Sequence, residues 1–488
     1  MNVTEPIRRH ARLAPAAAAY LRRDLSAVTY AEFERTLDAL AHRIRGAGLR
    51  AGQSAAFGCN DHYRNLALTL ALARVGVACA PLSLPADLTD VAIVDDGIAG
   101  NGCDRVVALA DLWPPDLLDA TAAGAAAIER DASLTFANCP SSGTTGAPKF
   151  IPVSHALAAR RVFVRQAASQ FPAPLRQVCY VHPATWYGVS SLLRVLWQGG
   201  TIAEPNTEAG TIGDWLARSR INYMVASPIA LQKVAANAPF MRGPYALSTI
   251  EVAGSALPRF AYDLARARLC ANILCAYGST ESSGAASAPV SVMGGAPGTA
   301  GYPWPGVEIE VVDADDRPLP AGREGLVRIR SELNAGGYLA DPAATARVFR
   351  GEWVYPGDLG KLAPDGLLTV TGRTDDVINR GGDKVSPHAV EEAMMALAPL
   401  REVAVFGVAD GTGSMQICAA IVPEAPLAAE PFHASCRDRL GAHAPVMIMH
   451  MRALPRNDNG KVLRDELVAM ALAAGAQQAA RPTGATLQ

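Results

Sequence analysis

Short apolar runs alternate with stretches of helical periodicity over roughly the first half of the chain. Ser54–Phe57, Arg105–Ala110, Val178–His182 and Tyr223–Ser227 are apolar runs of strand length. Tyr30–Ala47 and Asn65–Val75 read as amphipathic helical stretches. Strands alternating with helices imply layered α/β structure. Between 300 and 370 the texture changes: VEIEVVDADDRPLP, GLVRIRS and GLLTVTG read as short strands joined by Asp, Pro and Gly turns, a β-rich subdomain. After GRTDD at 372–376 a compact α+β unit is expected, with a helix over Pro387–Leu397, strands at Val403–Gly407 and Ile417–Val422, a helix through 433–441 and a last strand in VMIMH. A boundary at Asp375 then divides the chain into a large N-terminal domain, 1–374, and a small C-terminal domain, 375–488.

Composition narrows the class without naming a chemistry. Half the residues are apolar and 18% are charged, as in ordinary globular chains. The formal net charge of −2 and the scatter of Lys and Arg give no footprint for nucleic acid or an anionic membrane. Nine dispersed cysteines without a CxxC pair read as free, mostly buried thiols of a reducing compartment. The N-terminal stretch lacks a signal-peptide apolar core and no long uncharged apolar run follows, so a cytoplasmic protein without a membrane span is expected.

The strongest local signal is Ser141-Ser142-Gly143-Thr144-Thr145-Gly146-Ala147-Pro148-Lys149, preceded by the apolar run Leu134–Ala137 and followed by a helix that Ser154 would cap. Glycines let backbone approach a ligand closely. Hydroxyls and loop N–H groups can then surround an anion, to which Lys149 adds a full charge. Read blandly, the stretch is a flexible Ser/Gly/Thr linker. It is not a Walker A loop, because two residues rather than four separate its glycines and Phe150 follows Lys149.

SSGTTGAPK resembles the phosphate loop of the adenylate-forming superfamily, which includes acyl- and aryl-CoA synthetases, peptide-synthetase adenylation domains and luciferases. Further segments resemble the family's other signatures in the same order, from about residue 30 to 467. In Ala276-Tyr277-Gly278-Ser279-Thr280-Glu281 the resemblance places Tyr277 on adenine, Thr280 at the α-phosphate and Glu281 on Mg²⁺, a cation that commonly shares one carboxylate with substrate phosphates. In Tyr355-Pro356-Gly357-Asp358 it gives Asp358 both ribose hydroxyls, although Pro356 stands where the family usually has Thr. In GRTDD it sends Arg373 to the ribose and makes Asp375 the hinge. By the same resemblance Gly381-Gly382-Asp383-Lys384-Val385-Ser386 would border the thiol's approach. In Pro455–Arg464 the resemblance makes Lys461 the catalytic lysine that bridges carboxylate and α-phosphate, a role otherwise foreign to a turn lysine after Asn-Gly. Arg323 and Leu326 stand where acidic residues are common.

The resemblance implies ATP, Mg²⁺ and CoA as cofactors, with Lys461, Glu281 and Thr145 catalytic. Ser141, Ser142, Gly143, Thr144, Gly146, Lys149, Gly254, Tyr277, Gly278, Ser279, Thr280, Asp358 and Arg373 would hold the nucleotide. The acid would lie among His182, Trp186, Tyr187, Gly188, Ser227, Ser255 and Ala256. No Asp between 178 and 200 could hold an α-ammonium, which disfavours an amino acid. Trp186 and Tyr187 read equally as walls of a small aromatic pocket or as core, and His182 as a substrate contact or a satisfied histidine. The chain ends at 488, only 27 residues past Lys461, too short for a fused carrier domain. The acceptor is then expected to be a free molecule or a separate protein, and the resemblance to CoA ligases around 381–386 implies CoA, with a separate carrier protein or an amine as the alternative and a homodimer as a further partnership.

Overall fold

The computed structural model describes residues 1–118, 124–141, 148–169, 171–208, 211–238, 247–293, 298–380, 383–410, 415–456 and 462–479. These fall into two compact units: 1–309 with 328–356, and 310–327 with 357–488. The expected boundary at Asp375 lies inside the second.

The first unit contains two largely parallel sheets. One runs Val106–Ala108, Val91–Val94, Ser54–Gly58, Ala78–Pro81, Thr135–Pro140, Phe150–Ser154, parallel except for the last pair. The other sets Thr201–Ala203, Arg176–Cys179, Tyr223–Ala226, Thr249–Val252 and Ile273–Ser279 side by side in parallel. Ser283–Pro289 then pairs antiparallel with Ile273–Ser279. Central strands such as Tyr223–Ala226 and Thr249–Val252 are buried at every position, as expected of parallel strands covered on both faces. Two strand readings shift. Val178–His182 is Arg176–Cys179, and Arg105–Ala110 shortens to Val106–Ala108 because a helical turn starts at Leu109. Strand ends are weakly specified where an apolar run continues past the last paired residue.

The helices follow their sequence logic closely. Tyr30–Gly46 starts at a reciprocal cap in which the Thr29 hydroxyl accepts from the Glu32 N–H and the Glu32 carboxylate from the Thr29 N–H. It buries Tyr30, Phe33, Leu37, Leu40 and Ile44 on one face. His62–Val75 is buried almost all round. Its fully enclosed Arg74 is neutralised by Glu34 at 2.7 Å and Asp38 at 2.6 Å.

The N-terminus is tied down rather than frayed. Asn2, Val3 and Thr4 are buried, the Asn2 amide donates to the Ala73 and Glu129 carbonyls, and the Val3 N–H donates to His155 Nδ1 at 3.3 Å. His155, fully enclosed beside Phe136, is kept neutral: burial, with the N-terminal ammonium adding to it, pulls its pKa from 6.5 down to about 4. The unfolded chain therefore binds one more proton than the folded one between those values. The stabilisation is complete above pH 6.5 and is lost as pH falls toward 4, by about 3 kcal/mol. His62, hydrogen-bonded to the Tyr20 hydroxyl, is shifted by burial over the same window. Urea titrations at pH 7 and pH 4.5 should show this fall, and His155→Leu should flatten it by close to one proton's slope; an unchanged slope would refute the assignment.

In the second unit, Leu400–Ala409 and Met415–Pro423 pair antiparallel and Met447–His450 adds in parallel. Alternate residues separate cleanly. Val405, Ile417, Ala419 and Ile421 pack with Val390, Met394, Phe432 and Cys436 from helices Pro387–Leu397 and Ala429–Leu440. Phe406, Cys418, Ala420 and Val422 pack with Leu454, Leu467 and Ala471, the last two from helix Arg464–Ala479. The α+β reading of this region holds. Among the described residues no helix is long and apolar enough to cross a membrane.

Candidate active site

The segment expected to cradle phosphate leaves and re-enters one sheet. Thr135–Pro140 pairs antiparallel with Phe150–Ser154, and the Ser141 N–H donates to the Lys149 carbonyl at 2.7 Å across the base of the excursion. A short strand joins Lys149 to the expected helix, its Phe150, Ile151 and Val153 apolar and buried. The helix begins at His155, where the Ser154 hydroxyl accepts from the Leu157 N–H. Ser141 is buried at the exit. Lys149 sets its ammonium over the face of the Tyr338 ring, 5.3 Å from the centroid. Ser142, Gly143, Thr144, Thr145 and Gly146 lie outside the described residues.

The second signature is itself a hairpin. Ser279 stands opposite Ser283, so Thr280, Glu281 and Ser282 form its turn. Gly278 is required there, since a Cβ would lie 2.0 Å from the Ser283 carbonyl oxygen. Tyr277 is half-buried on the strand, and the Ser279 hydroxyl accepts from the Ser282 N–H. The Thr280 hydroxyl donates to the Pro140 carbonyl at 3.3 Å, fastening the turn to the end of strand Thr135–Pro140. Thus Ser141, Thr280, Glu281 and Lys149, remote in sequence, come together.

Glu281 is held from several directions. Its carboxylate Oε1 accepts from the Tyr338 hydroxyl at 2.6 Å, and its backbone carbonyl accepts from Arg161 Nη2 at 3.0 Å and from the Ala335 N–H at 2.8 Å. Arg161 is enclosed, also donates to the Leu333 carbonyl, and stacks over Trp186 at 5.0 Å. Burial lowers its pKa to about 10 without removing its charge near neutral pH. Nothing in the linear pattern pointed to Tyr338 or Arg161, although Arg161 and Arg165 are spaced to share one helix face.

His182 is exposed on the loop after Arg176–Cys179. Its Nδ1 accepts from the Ala184 N–H, and its carbonyl accepts from the Thr185 hydroxyl, which also caps helix Trp186–Trp197. That tight turn explains Gly188, where a Cβ would meet the His182 carbonyl at 2.1 Å. His182, Pro183, Ala184 and Val189 line a cavity of about 300 Å³ whose lining also includes Asn138 and Cys139. Trp186 is buried with its indole N–H donating to the Ser283 hydroxyl at 3.0 Å, which ties it to the Glu281 hairpin. Ser227 caps helix Pro228–Asn237. Gly254, Ser255 and Ala256 are exposed after strand Thr249–Val252, with Gly254 at φ +100°.

Beneath the helix start lies a charged core that sequence reading missed. Glu251, on a buried strand, accepts from Arg165 at 2.5 Å, Arg194 at 3.0 Å, Tyr223 at 2.7 Å and Tyr187 at 2.8 Å. Burial by itself would raise the Glu251 pKa. The two guanidiniums and two phenols outweigh it and hold the carboxyl well below the usual range. Tyr187 is thereby fixed, with Arg165 stacked 4.4 Å over its ring.

In the second unit, Asp358 and Arg373 are register partners on adjacent antiparallel strands, and Arg373 donates to Asp358 at 3.2 Å. Gly357, at φ +81°, follows Pro356 and accepts from the Thr374 N–H through its carbonyl. Asp375 sits in the single helical turn Thr374–Asp376, whose Asp376 pairs with Arg464 at 3.2 Å; Arg464 in turn reaches Glu391. Gly381, Gly382 and Lys461 lie outside the described residues.

A family model described as AMP-binding enzyme matches residues 105–339, and one described as AMP-binding enzyme C-terminal domain matches 389–461. A feruloyl-CoA synthase from an Amycolatopsis species is 26% identical over 498 residues, covering 95% of this chain and 97% of that protein. A 2-succinylbenzoate–CoA ligase from Geobacillus kaustophilus is 26% identical, covering 90% and 92%. The solved structure of O-succinylbenzoate coenzyme A synthetase from Bacillus subtilis with AMP superposes at a TM-score of 0.83 and 21% identity, covering 95% and 97%.

Proposed function

Because the chain belongs to the AMP-binding, adenylate-forming enzyme family, we propose that it activates a carboxylic acid with ATP and passes the acyl group to the thiol of CoA. The observation that carries this reading is the Thr280–Glu281 turn fastened to the strand leading into Ser141, with Lys149 beside it.

In the first step the substrate carboxylate attacks the α-phosphorus. The bond to the bridging oxygen breaks, pyrophosphate leaves, and an acyl-adenylate remains. Ser141, residues 142–146 of the same motif and Lys149 receive the phosphates. Thr280 and Lys461 steady the α-phosphate, where two anions meet. Tyr277 supports the base, while Asp358 and Arg373 hold the ribose. In the second step the CoA sulfur attacks the acyl carbon, AMP departs with the anhydride oxygen, and the thiol proton is released. Residues 375–488 act as a lid about Asp375 between the two steps.

Glu281 fits a divalent cation shared with substrate. One carboxylate oxygen is anchored by Tyr338, and the other takes no hydrogen bond among the described residues. No three His, Cys, Asp or Glu side chains among the described residues cluster to hold a metal unaided, so phosphate oxygens would complete the set. When bound, Mg²⁺ neutralises and polarises the departing pyrophosphate.

The test is pyrophosphate release and hydroxylamine trapping over aryl, short, medium and long acids, with and without CoA. Release with one acid class, and AMP with a thioester only when CoA is present, is expected. Pyrophosphate from no acid would sink the reading; adenylate without CoA turnover would redirect it to another acceptor.

A further inference from the structure

Resting on the assignment of Glu281 as the metal carboxylate, we infer that Tyr338 is a positioning residue that aims this carboxylate and sets its distance from Lys149. Tyr338 stands between the two. Its hydroxyl donates to Glu281 Oε1 at 2.6 Å, a short hydrogen bond to an anion, and its ring face carries the Lys149 ammonium at 5.3 Å. The tyrosine is itself fixed. Its backbone N–H donates to the Thr345 hydroxyl at 2.9 Å, the ring meets Phe349 edge-on at 5.6 Å, and the next residue's N–H donates to the Phe150 carbonyl at 2.7 Å. The segment that carries it is also fastened to the Glu281 backbone through Ala335 N–H, and Arg161 bridges the Leu333 and Glu281 carbonyls.

The consequence for the site is specific. A carboxylate on a turn can rotate about its own side-chain bonds. With Oε1 taken by a fixed phenol, Oε2 is the oxygen left for a cation, and the orientation of the carboxylate is set before any cation arrives. A carboxylate held this way loses less freedom on ligation, which is why partners behind a metal ligand are commonly worth 10–100-fold in metal affinity. The same ring gives the Lys149 charge a seat, so the cation site and the ammonium share one spacer. Both act on the phosphates that leave together as pyrophosphate.

Tyr338→Phe deletes the hydroxyl and keeps the ring; Tyr338→Leu deletes both. Binding is read by calorimetry with ATP plus excess EDTA, with MgATP, and with AMP, and Mn²⁺ affinity of the enzyme–ATP complex by electron paramagnetic resonance. For Tyr338→Phe, Mn²⁺ should bind at least tenfold more weakly, while metal-free ATP and AMP bind as in the parent. Tyr338→Leu should in addition weaken metal-free ATP, because Lys149 loses its seat. Thermal melting checks that both variants fold, and Glu281→Gln is the control. If Glu281→Gln leaves Mn²⁺ affinity unchanged, the assignment of the metal carboxylate is wrong. If Glu281→Gln weakens it and Tyr338→Phe does not, the assignment stands and the positioning role of Tyr338 is overturned. Equal weakening of Mn²⁺, metal-free ATP and AMP by Tyr338→Phe would also overturn it, as that pattern marks a structural defect.

Discussion

Replacing Lys461 with alanine is expected to slow pyrophosphate release by roughly 10²–10³-fold, the usual loss when one preorganised donor to developing charge is removed. Thioester formation from a supplied acyl-adenylate should proceed largely as in the parent. The asymmetry follows from where the charge lies. In the first step a carboxylate must approach a triphosphate, and an ammonium between them offsets the repulsion as the new P–O bond forms. In the second step the phosphate is a leaving group on a mixed anhydride, and no second anion has to be brought to the phosphorus. The measurement is a pair of single-turnover assays, one from acid and ATP and one from pre-formed acyl-adenylate and CoA. Equal loss in both would show Lys461 to be a general structural or binding residue, and no loss in either would remove it from the site. Lys461→Arg keeps charge but widens the head group, so partial recovery in the first assay would argue that charge, more than shape, carries the effect.

Much of this architecture was legible in the chain because it rests on local rules. Thr29 and Glu32 cap the start of the helix at Tyr30, and the unbroken apolar run Ile417–Val422 fits a strand packed on both faces. Strand ends were less legible. Nothing in VCYVHP distinguishes a strand that stops at Cys179 from one that reaches His182, since the stop is set by the turn in which the His182 carbonyl takes the Thr185 hydroxyl. The candidate site was read from short segments that carry their own chemistry, SSGTTGAPK and YGSTE, and the fold brings the described ends of the first, Ser141 and Lys149, near Thr280 and Glu281. Its supporting residues were not legible in this way. Arg161 acts on backbone carbonyls at 281 and 333, and Tyr338 acts on a carboxylate 57 positions away. Such links exist only once the fold has brought the segments together. Conversely, Gly188 and Gly278, which the motif reading counted as site residues, are accounted for by backbone carbonyls that leave no room for a Cβ.

Glu251→Ala is expected to destabilise the protein by about 3–5 kcal/mol, the scale for removing one partner from a buried ion network. Arg165 and Arg194 are almost completely enclosed, so neither guanidinium can recover in water what it loses. The hydroxyls of Tyr187 and Tyr223 lose their acceptor at the same time. Replacing the whole group by apolar residues would be far milder than removing the acid alone, because the damage comes from uncompensated charge. Arg194→Met in the Glu251→Ala background should therefore cost less than the sum of the two single changes, a coupling that urea unfolding of the four proteins measures directly. The pH dependence gives an independent check. The Glu251 pKa is depressed in the folded state, so its stabilisation is present above the unfolded value near 4.5 and lost as pH falls below it. This window lies below most of that of His155, and the two contributions can be separated in one titration. A Glu251→Ala protein with parental stability and an unchanged acid limb would show the network to be inert. If stability falls as expected, Glu251→Gln becomes informative about function. It keeps a hydrogen-bond acceptor for Tyr187 but not the charge, and the acid specificity of that variant reports whether Tyr187 faces the substrate or serves only the core.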